Sequence, residues 1–260
     1  GDTLSGDGGD DVILGDFGQV NLGATDHTIS SLDTEVGGDD RITGGVGDDI
    51  LIGGVANDTI SGDSDSDIIL GDSGQVDRDA LDTVERISST DTGIGGVDDL
   101  SGNEGDDIIL GGFESDTING DEGNDIILGD NGVVVRTDPN ATDENDIYTT
   151  ATTDGGADKI IGGDGNDIII GGVGGDEITG DAGDDLILGD FGRVERDGSD
   201  VVEQVVSTDI GDANEGIDNI SGNADNDLII GGGAGDILSG DGGDDVILGD
   251  FGKVTGTAGS

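Results

Sequence analysis

The chain has no cysteine, methionine or tryptophan, one proline, one histidine, five aromatic residues and only eight basic residues among 260. Without cysteine there is neither a disulfide framework nor a thiolate zinc site. Eight Lys and Arg against 62 Asp and Glu give a formal charge of -54. This sets aside nucleic acid and anionic lipid as partners, because phosphate is held by the basic groups this chain lacks. The longest aliphatic runs are three residues, as in Ile168 to Ile170, so no stretch is suited to insertion in a membrane. HExxH, GxSxG and a Cys–His pair are missing too, and an enzyme is not expected. Paired acids such as Asp48 and Asp49 could mimic a glycosidase dyad, but they recur in every block, which an active site has no reason to do.

What is abundant is glycine, with 56 residues, and aspartate, about 52 of the acids against ten glutamates. Aspartate favours turns and metal sites over helices. Charge of this density normally marks a disordered chain, because self-repulsion and poor burial cannot offset the entropy of ordering. A folded state therefore needs multivalent cations to neutralise the carboxylates, and the spacing of the aspartates decides whether a cation could collect them.

Self-comparison reveals a nine-residue unit, for instance GGVGDDILI from Gly44 to Ile52, followed by GGVANDTIS and GDSDSDIIL. Position six is aspartate in all eighteen copies: Asp2, Asp11, Asp40, Asp49, Asp58, Asp67, Asp98, Asp107, Asp116, Asp125, Asp158, Asp167, Asp176, Asp185, Asp218, Asp227, Asp236 and Asp245. Position eight is always leucine or isoleucine, from Leu4 and Ile13 to Leu238 and Ile247. Four nonapeptides make a block, and connectors of 20, 22, 24 and 24 residues follow, opening GDFGQV, GDSGQV, GDNGVV, GDFGRV and, in a truncated fifth, GDFGKV. The organisation is therefore a partial block plus connector over 1–34, repeat modules over 35–92, 93–152 and 153–212, and a module with a truncated connector over 213–260. The chain reads as an excerpt of something longer.

Each nonapeptide divides into a six-residue Gly-rich turn and a three-residue strand whose middle residue, position eight, points opposite to its neighbours. Stacking such units predicts an all-β fold, a parallel β-roll solenoid with two nonapeptides per coil, in blocks of four separated by partly β connectors. Its thin Ile/Leu core is too small alone, and aspartates from successive coils repel unless a hard cation lies between them. Calcium fits on three grounds: it takes six to eight oxygens, accepts carbonyls beside carboxylates and tolerates irregular geometry. Magnesium demands a tight octahedron, and zinc wants Cys or His. His27 is expected to be a solvated connector residue.

The iterated GGxGxDxUx motif resembles the calcium-binding repeats of bacterial RTX proteins, over about 162 of the 260 residues. The resemblance implies a parallel β-roll in which the eighteen position-six aspartates, with carbonyls of the preceding turn, bind multiple calcium ions between turns on the same edge. Position four departs from the motif at Ala56, Asp65, Glu114, Asp225 and Ala234, which puts those turn geometries in question.

Each connector opens like a fifth turn but places Val20, Val76, Val134, Val194 or Val254 where the aspartate belongs, so the aspartate ladder is expected to end there. Asp16, Asp72, Asp130, Asp190 and Asp250, at position two of these turns, are candidates to cap the last ion of the edge or are ordinary turn residues. Two to three ions per block would give roughly eight to twelve calcium ions.

Positions seven and nine point away from the core, and in alternate strands all eighteen are apolar, as in Ile126 and Leu128. In the other strands they are polar except at Ile161 and Ile237. An exposed aliphatic strip must be covered, either by connector stretches Thr83–Ser89, Asp146–Thr152 and Val201–Ser207, the favoured choice, or by neighbouring modules of the chain or copies of itself. The expected role is a calcium-dependent structural array of a large secreted bacterial surface protein, extracellular or on the cell surface: a rigid spacer, or a segment of an adhesin, fibre or surface layer. The rival is an accessory repeat domain of a secreted enzyme or toxin whose catalytic part lies outside this chain.

Overall fold

The computed structural model describes residues 1–24, 26–32, 36–136, 146–151, 153–197, 199–208 and 214–256. Among them, twenty-seven strands form three sheets of nine, and there is no helix. Two of the sheets are parallel and make the roll. The polar sheet is built from strands such as Arg41–Val46, Thr59–Ser64 and Asp99–Glu104, and the middle sheet from strands such as Ile50–Gly54, Ile68–Asp72 and Ile108–Gly112. Ile42 pairs with Ile60, eighteen residues on, so one coil is two nonapeptides.

Position eight faces inward throughout. Ile42, Ile60, Leu100, Ile118, Ile160, Ile178 and Ile220 of the polar sheet meet Leu51, Ile69, Ile109, Ile127, Ile169, Ile187 and Ile229 of the middle sheet in one buried cluster. Each such side chain contributes about 1.5–3 kcal/mol by leaving water. The turns hold positive φ at positions two and four, for example at Asp63 (80°) and Gly47 (122°). The five residues that depart from glycine at position four, Ala56, Asp65, Glu114, Asp225 and Ala234, keep this conformation, with φ of 78°, 78°, 71°, 72° and 58°. Their turns are strained but unchanged in shape.

The third sheet is antiparallel and consists of connectors. Each complete connector supplies two strands rather than the single one expected: Gly18–Leu22 with Asp26–Ser31, Gly74–Asp79 with Val84–Ser89, Gly132–Val135 with Ile147–Thr149, and Gly192–Arg196 with Val202–Ser207. The truncated fifth adds Lys253–Thr255. Of the stretch expected over 146–152, residue 152 lies outside the described residues. The connector valines are not at the sixth position of a turn. Val20, Ile29, Val76, Ile87, Val134, Ile147, Val194, Val205 and Val254 lie opposite one another in an unbroken cross-strand file. Most of this file packs on Ile50, Ile52, Leu70, Leu110, Leu128, Leu188 and Ile230 of the middle sheet. The aliphatic strip is thus covered from within the chain, by the connectors.

The aspartate ladder does not end at the connectors as expected, because the strands themselves pair across them: Ile60 pairs with Leu100 and Ile69 with Ile109 across the connector between them. The sheets run through every module boundary, and the connectors are hairpins looped out of a continuous roll. Because Leu128 is wholly buried between the roll and the cover, Leu128→Ala should cost about 2–5 kcal/mol, read as a lowered thermal midpoint in calcium.

Candidate metal edges

Position six marks the end of each turn, where the chain enters a strand. The carboxylate there turns back along the solenoid axis. The backbone N–H of each position-six aspartate donates to Oδ1 of its counterpart in the next coil, as Asp49 does to Asp67 at 2.8 Å and Asp107 to Asp125 at 2.8 Å. Sixteen such bonds form two ladders, one per edge. One edge carries Asp2, Asp40, Asp58, Asp98, Asp116, Asp158, Asp176, Asp218 and Asp236. The other carries Asp11, Asp49, Asp67, Asp107, Asp125, Asp167, Asp185, Asp227 and Asp245. Both pass the connectors without a break, as Asp58 to Asp98 at 2.7 Å and Asp67 to Asp107 at 2.7 Å.

Only half of each carboxylate is used. Oδ2 is buried and without a hydrogen-bond partner in every ladder aspartate except Asp2 and Asp245 at the two ends. A buried carboxylate oxygen left bare costs the full desolvation of its charge. The glycine at position one explains how the oxygen fits. A Cβ there would lie 1.9–2.6 Å from Oδ2 of the same turn's aspartate, and at Gly120 also 2.5 Å from the carbonyl oxygen of Gly162 in the next coil. None of these position-one glycines needs positive φ, so the residue type serves the carboxylate and not the backbone.

Among the described residues no three Asp, Glu or His side chains converge as a ready-made cation cage. A cation on these edges would be held by file carboxylates together with backbone carbonyls, which suits calcium and excludes a side-chain-only cage. The donors available there are hard oxygens, carboxylate and backbone carbonyl, with an orphaned buried Oδ2 on each edge of the inner coils.

Electrostatics says the same. Burial pushes Asp58, Asp67, Asp125 and Asp185 up to about 8 and Asp107 and Asp167 to about 6, with neighbouring aspartates adding to burial and the accepted N–H opposing it. Asp176 is raised well above the usual carboxylate range by burial and by Asp158. Charge on these groups is unfavourable in the folded chain unless a cation shares it.

The position-two aspartates of the complete connectors each accept backbone N–H groups from other segments. Asp72 Oδ1 accepts the N–H of Gly96 at 2.9 Å and its Oδ2 accepts that of Phe113 at 2.5 Å. Asp130 does the same with Gly156 at 2.9 Å and with Val173. Asp16 takes the N–H of Val55 at 2.7 Å and Asp190 that of Gly233. Asp250 is exposed. These carboxylates tie backbone together and are not merely turn residues. His27 is not simply solvated either: its Nδ1 lies 2.6 Å from Asp82 Oδ1, an interaction that lowers the Asp82 carboxyl.

A third ladder escaped the sequence reading. On the second edge, position five accepts the N–H of position five in the following coil, from Asp10 through Asp48, Ser66, Asp106, Asn124, Asn166, Asp184 and Asn226 to Asp244. Its signal was legible, since every alternate position five is Asp, Asn or Ser. On the first edge Val97 and Ala157 have no side-chain acceptor, and the file is interrupted.

A parallel roll with two files of buried, half-satisfied aspartates along its edges is a calcium-binding repeat protein in class. The chain belongs to the RTX calcium-binding nonapeptide repeat family, whose model matches residues 1–19, 43–75, 92–133, 150–178, 161–193 and 212–247, more than half of the chain. Its cofactor is calcium, in multiple copies. Among curated proteins none matches the chain.

Two outcomes follow. Gly120→Ala should expel the Asp125 carboxylate from its cradle and abolish calcium-induced folding of the neighbouring coils, read by hydrogen exchange at residues 108–128. In chelator, the folded chain holds protons between about pH 4 and pH 8 that the unfolded chain has released, so the stability these carboxylates supply is complete below about pH 4 and is lost as pH rises to 8. The far-UV β signal of the chain in chelator should therefore be strongest near pH 5 and lost toward pH 8, and a signal that grows with pH would contradict the burial of the ladder.

Proposed function

We propose that this segment is a calcium-triggered, rigid structural array within a large secreted bacterial surface protein, acting as a spacer or as part of an adhesin, fibre or surface layer. One observation carries the reading: the two aspartate ladders run unbroken from the first coil to the last, so rigidity and ion binding extend over the same length. Nine coils at about 4.8 Å each span roughly 40 Å. With eighteen equivalent acids along two edges, no single place is singled out for chemistry, and the role is structural rather than catalytic.

At submicromolar calcium the carboxylates keep the chain expanded, a state suited to export, and at external millimolar calcium the turns close and the roll forms. Calcium bound between successive turns of an edge neutralises groups that burial otherwise penalises. The chain's own residues supply the rest: Oδ1 and the N–H groups set the register, position-one glycines keep the cradle open, and the cover sheet removes the aliphatic strip from water.

Far-UV circular dichroism and sedimentation in one calcium titration test this. A coil-to-β transition near 10⁻⁴ to 10⁻³ M calcium, with a monomer throughout the folded range, is the expected result. Asp125→Asn keeps an Oδ1 acceptor for the Asp107 N–H but removes the charge. It should raise the calcium midpoint about tenfold while leaving the chain an unfolded coil in chelator, as in the parent. No transition in the parent chain, or a midpoint unmoved by the substitution, would refute the proposal.

A further inference from the structure

Each connector is inserted inside a turn, and its residues keep the turn's register on both sides. Gly71 and Asp72 begin the turn that follows the middle-sheet strand ending at Asp72, and Gly95 to Asp98 complete it before the strand Asp99–Glu104. A Cβ on Gly71 would lie 2.3 Å from Asp98 Oδ2 and 2.7 Å from the carbonyl oxygen of Gly111. The same arrangement surrounds Gly44 with Asp49 and Gly62, where the turn is continuous. Gly15 with Asp40, Gly129 with Asp158 and Gly189 with Asp218 repeat it. Four turns of the first edge are thus assembled from two segments separated by 20, 22, 24 and 24 residues, whereas each described turn of the second edge is one continuous segment.

The position-two aspartates lock these split turns. Asp72 holds the returning segment through the Gly96 N–H and the next coil through the Phe113 N–H. Room for its carboxylate exists because the following coil has Gly112 at this place, where a Cβ would lie 2.4 Å from Asp72 Oδ2. Gly54, Gly172 and Gly232 make the same room for Asp16, Asp130 and Asp190. The lock is electrostatically loaded as well: Asp72 is repelled by Asp98 and Asp58, and Asp98 Oδ2 is buried and orphaned.

From these observations we infer that the four split turns are a separate class of calcium site, in which the ion joins the two ends of a connector and so closes that hairpin over the aliphatic strip. The inference rests on the calcium reading proposed above. A continuous turn orders a few residues around its ion, whereas a split turn must also close a loop of 20–24 residues, an added entropic cost that weakens ion binding there. The roll therefore forms first, with its apolar middle sheet open, and the cover closes at higher calcium. Asp16, Asp72, Asp130 and Asp190 are the positioning residues of this step.

The chain carries its own reporter. Tyr148 is the single tyrosine, and there is no tryptophan. It lies on the third connector, with its hydroxyl accepting from Arg86 Nη2 at 3.2 Å and Arg193 lying 5.6 Å from the ring centroid, contacts that exist only once neighbouring connectors pair. The experiment is a calcium titration at constant pH of the full chain, followed in parallel by far-UV circular dichroism for the roll, tyrosine fluorescence for the cover and anilinonaphthalene sulfonate for exposed apolar surface. The tyrosine transition should come at several-fold higher calcium than the far-UV transition, with dye fluorescence greatest between them. Asp130→Asn should raise the tyrosine midpoint by about tenfold and leave the far-UV midpoint nearly unmoved. Asp125→Asn, in a continuous turn, should move both together. Coincident transitions in the parent chain and in Asp130→Asn would overturn the separate closure of the cover while leaving the calcium reading standing. A chain with no far-UV transition would overturn both.

Discussion

The structure depends on a carboxylate that is buried before it is satisfied. In each coil Oδ1 of the position-six aspartate accepts a backbone N–H from the preceding coil and so fixes the register of the stack, while Oδ2 is enclosed with no partner. The two oxygens of one group thus do opposite things: one builds the solenoid, the other makes the solenoid unfavourable at neutral pH unless positive charge is supplied. Replacing the ladder by neutral acceptors would keep the hydrogen bonds and lose the dependence on a cation. Aspartate in all eighteen copies repeats this opposition along both edges.

Glycine is used in two ways that composition alone does not separate. At positions two and four it relieves positive φ, yet aspartate, asparagine, alanine and glutamate hold that conformation at many of these places. Position one has ordinary backbone and tolerates nothing larger, because the space of a Cβ is taken by a carboxylate oxygen. Strain can be distributed among several residue types. A steric collision with a fixed charge cannot, and that is why position one is glycine in both continuous and split turns.

Much of this was legible in the sequence, and the rest was not for identifiable reasons. The nonapeptide period placed position eight in the core and position six on the edges, and the apolar residues at positions seven and nine required a cover. The connectors were misread at one point. GDSGQV continues the glycine rhythm of a turn, so Val76 looked like a substituted ligand, whereas the chain leaves the turn after Asp72 and Val76 enters an antiparallel strand. Local pattern cannot reveal this, since the residues that finish the turn, Gly95 to Asp98, lie more than twenty positions away and resemble the start of an ordinary repeat. The first strand of each connector was missed for the same cause: it is short, begins with glycine and shows its apolar alternation only against strands from other connectors.

Removing residues 73–94 on paper joins Asp72 to Gly95 and leaves GDGGVDDLS, a complete nonapeptide with glycine at positions one, three and four and aspartate at six. The same excision works at 17–36, giving GDGGDDRIT, and at 131–154, giving GDGGADKII. Each connector is therefore a hairpin set into a repeat whose two halves still obey the repeat's own rules. This accounts for the continuity of both ladders across every insertion and for the equal spacing of the third sheet, whose two strands per connector match the two coils per block. It also explains why the aliphatic strip and its cover belong to one chain. A hairpin anchored at both ends in the solenoid beneath it lies over the aliphatic face of its own middle sheet.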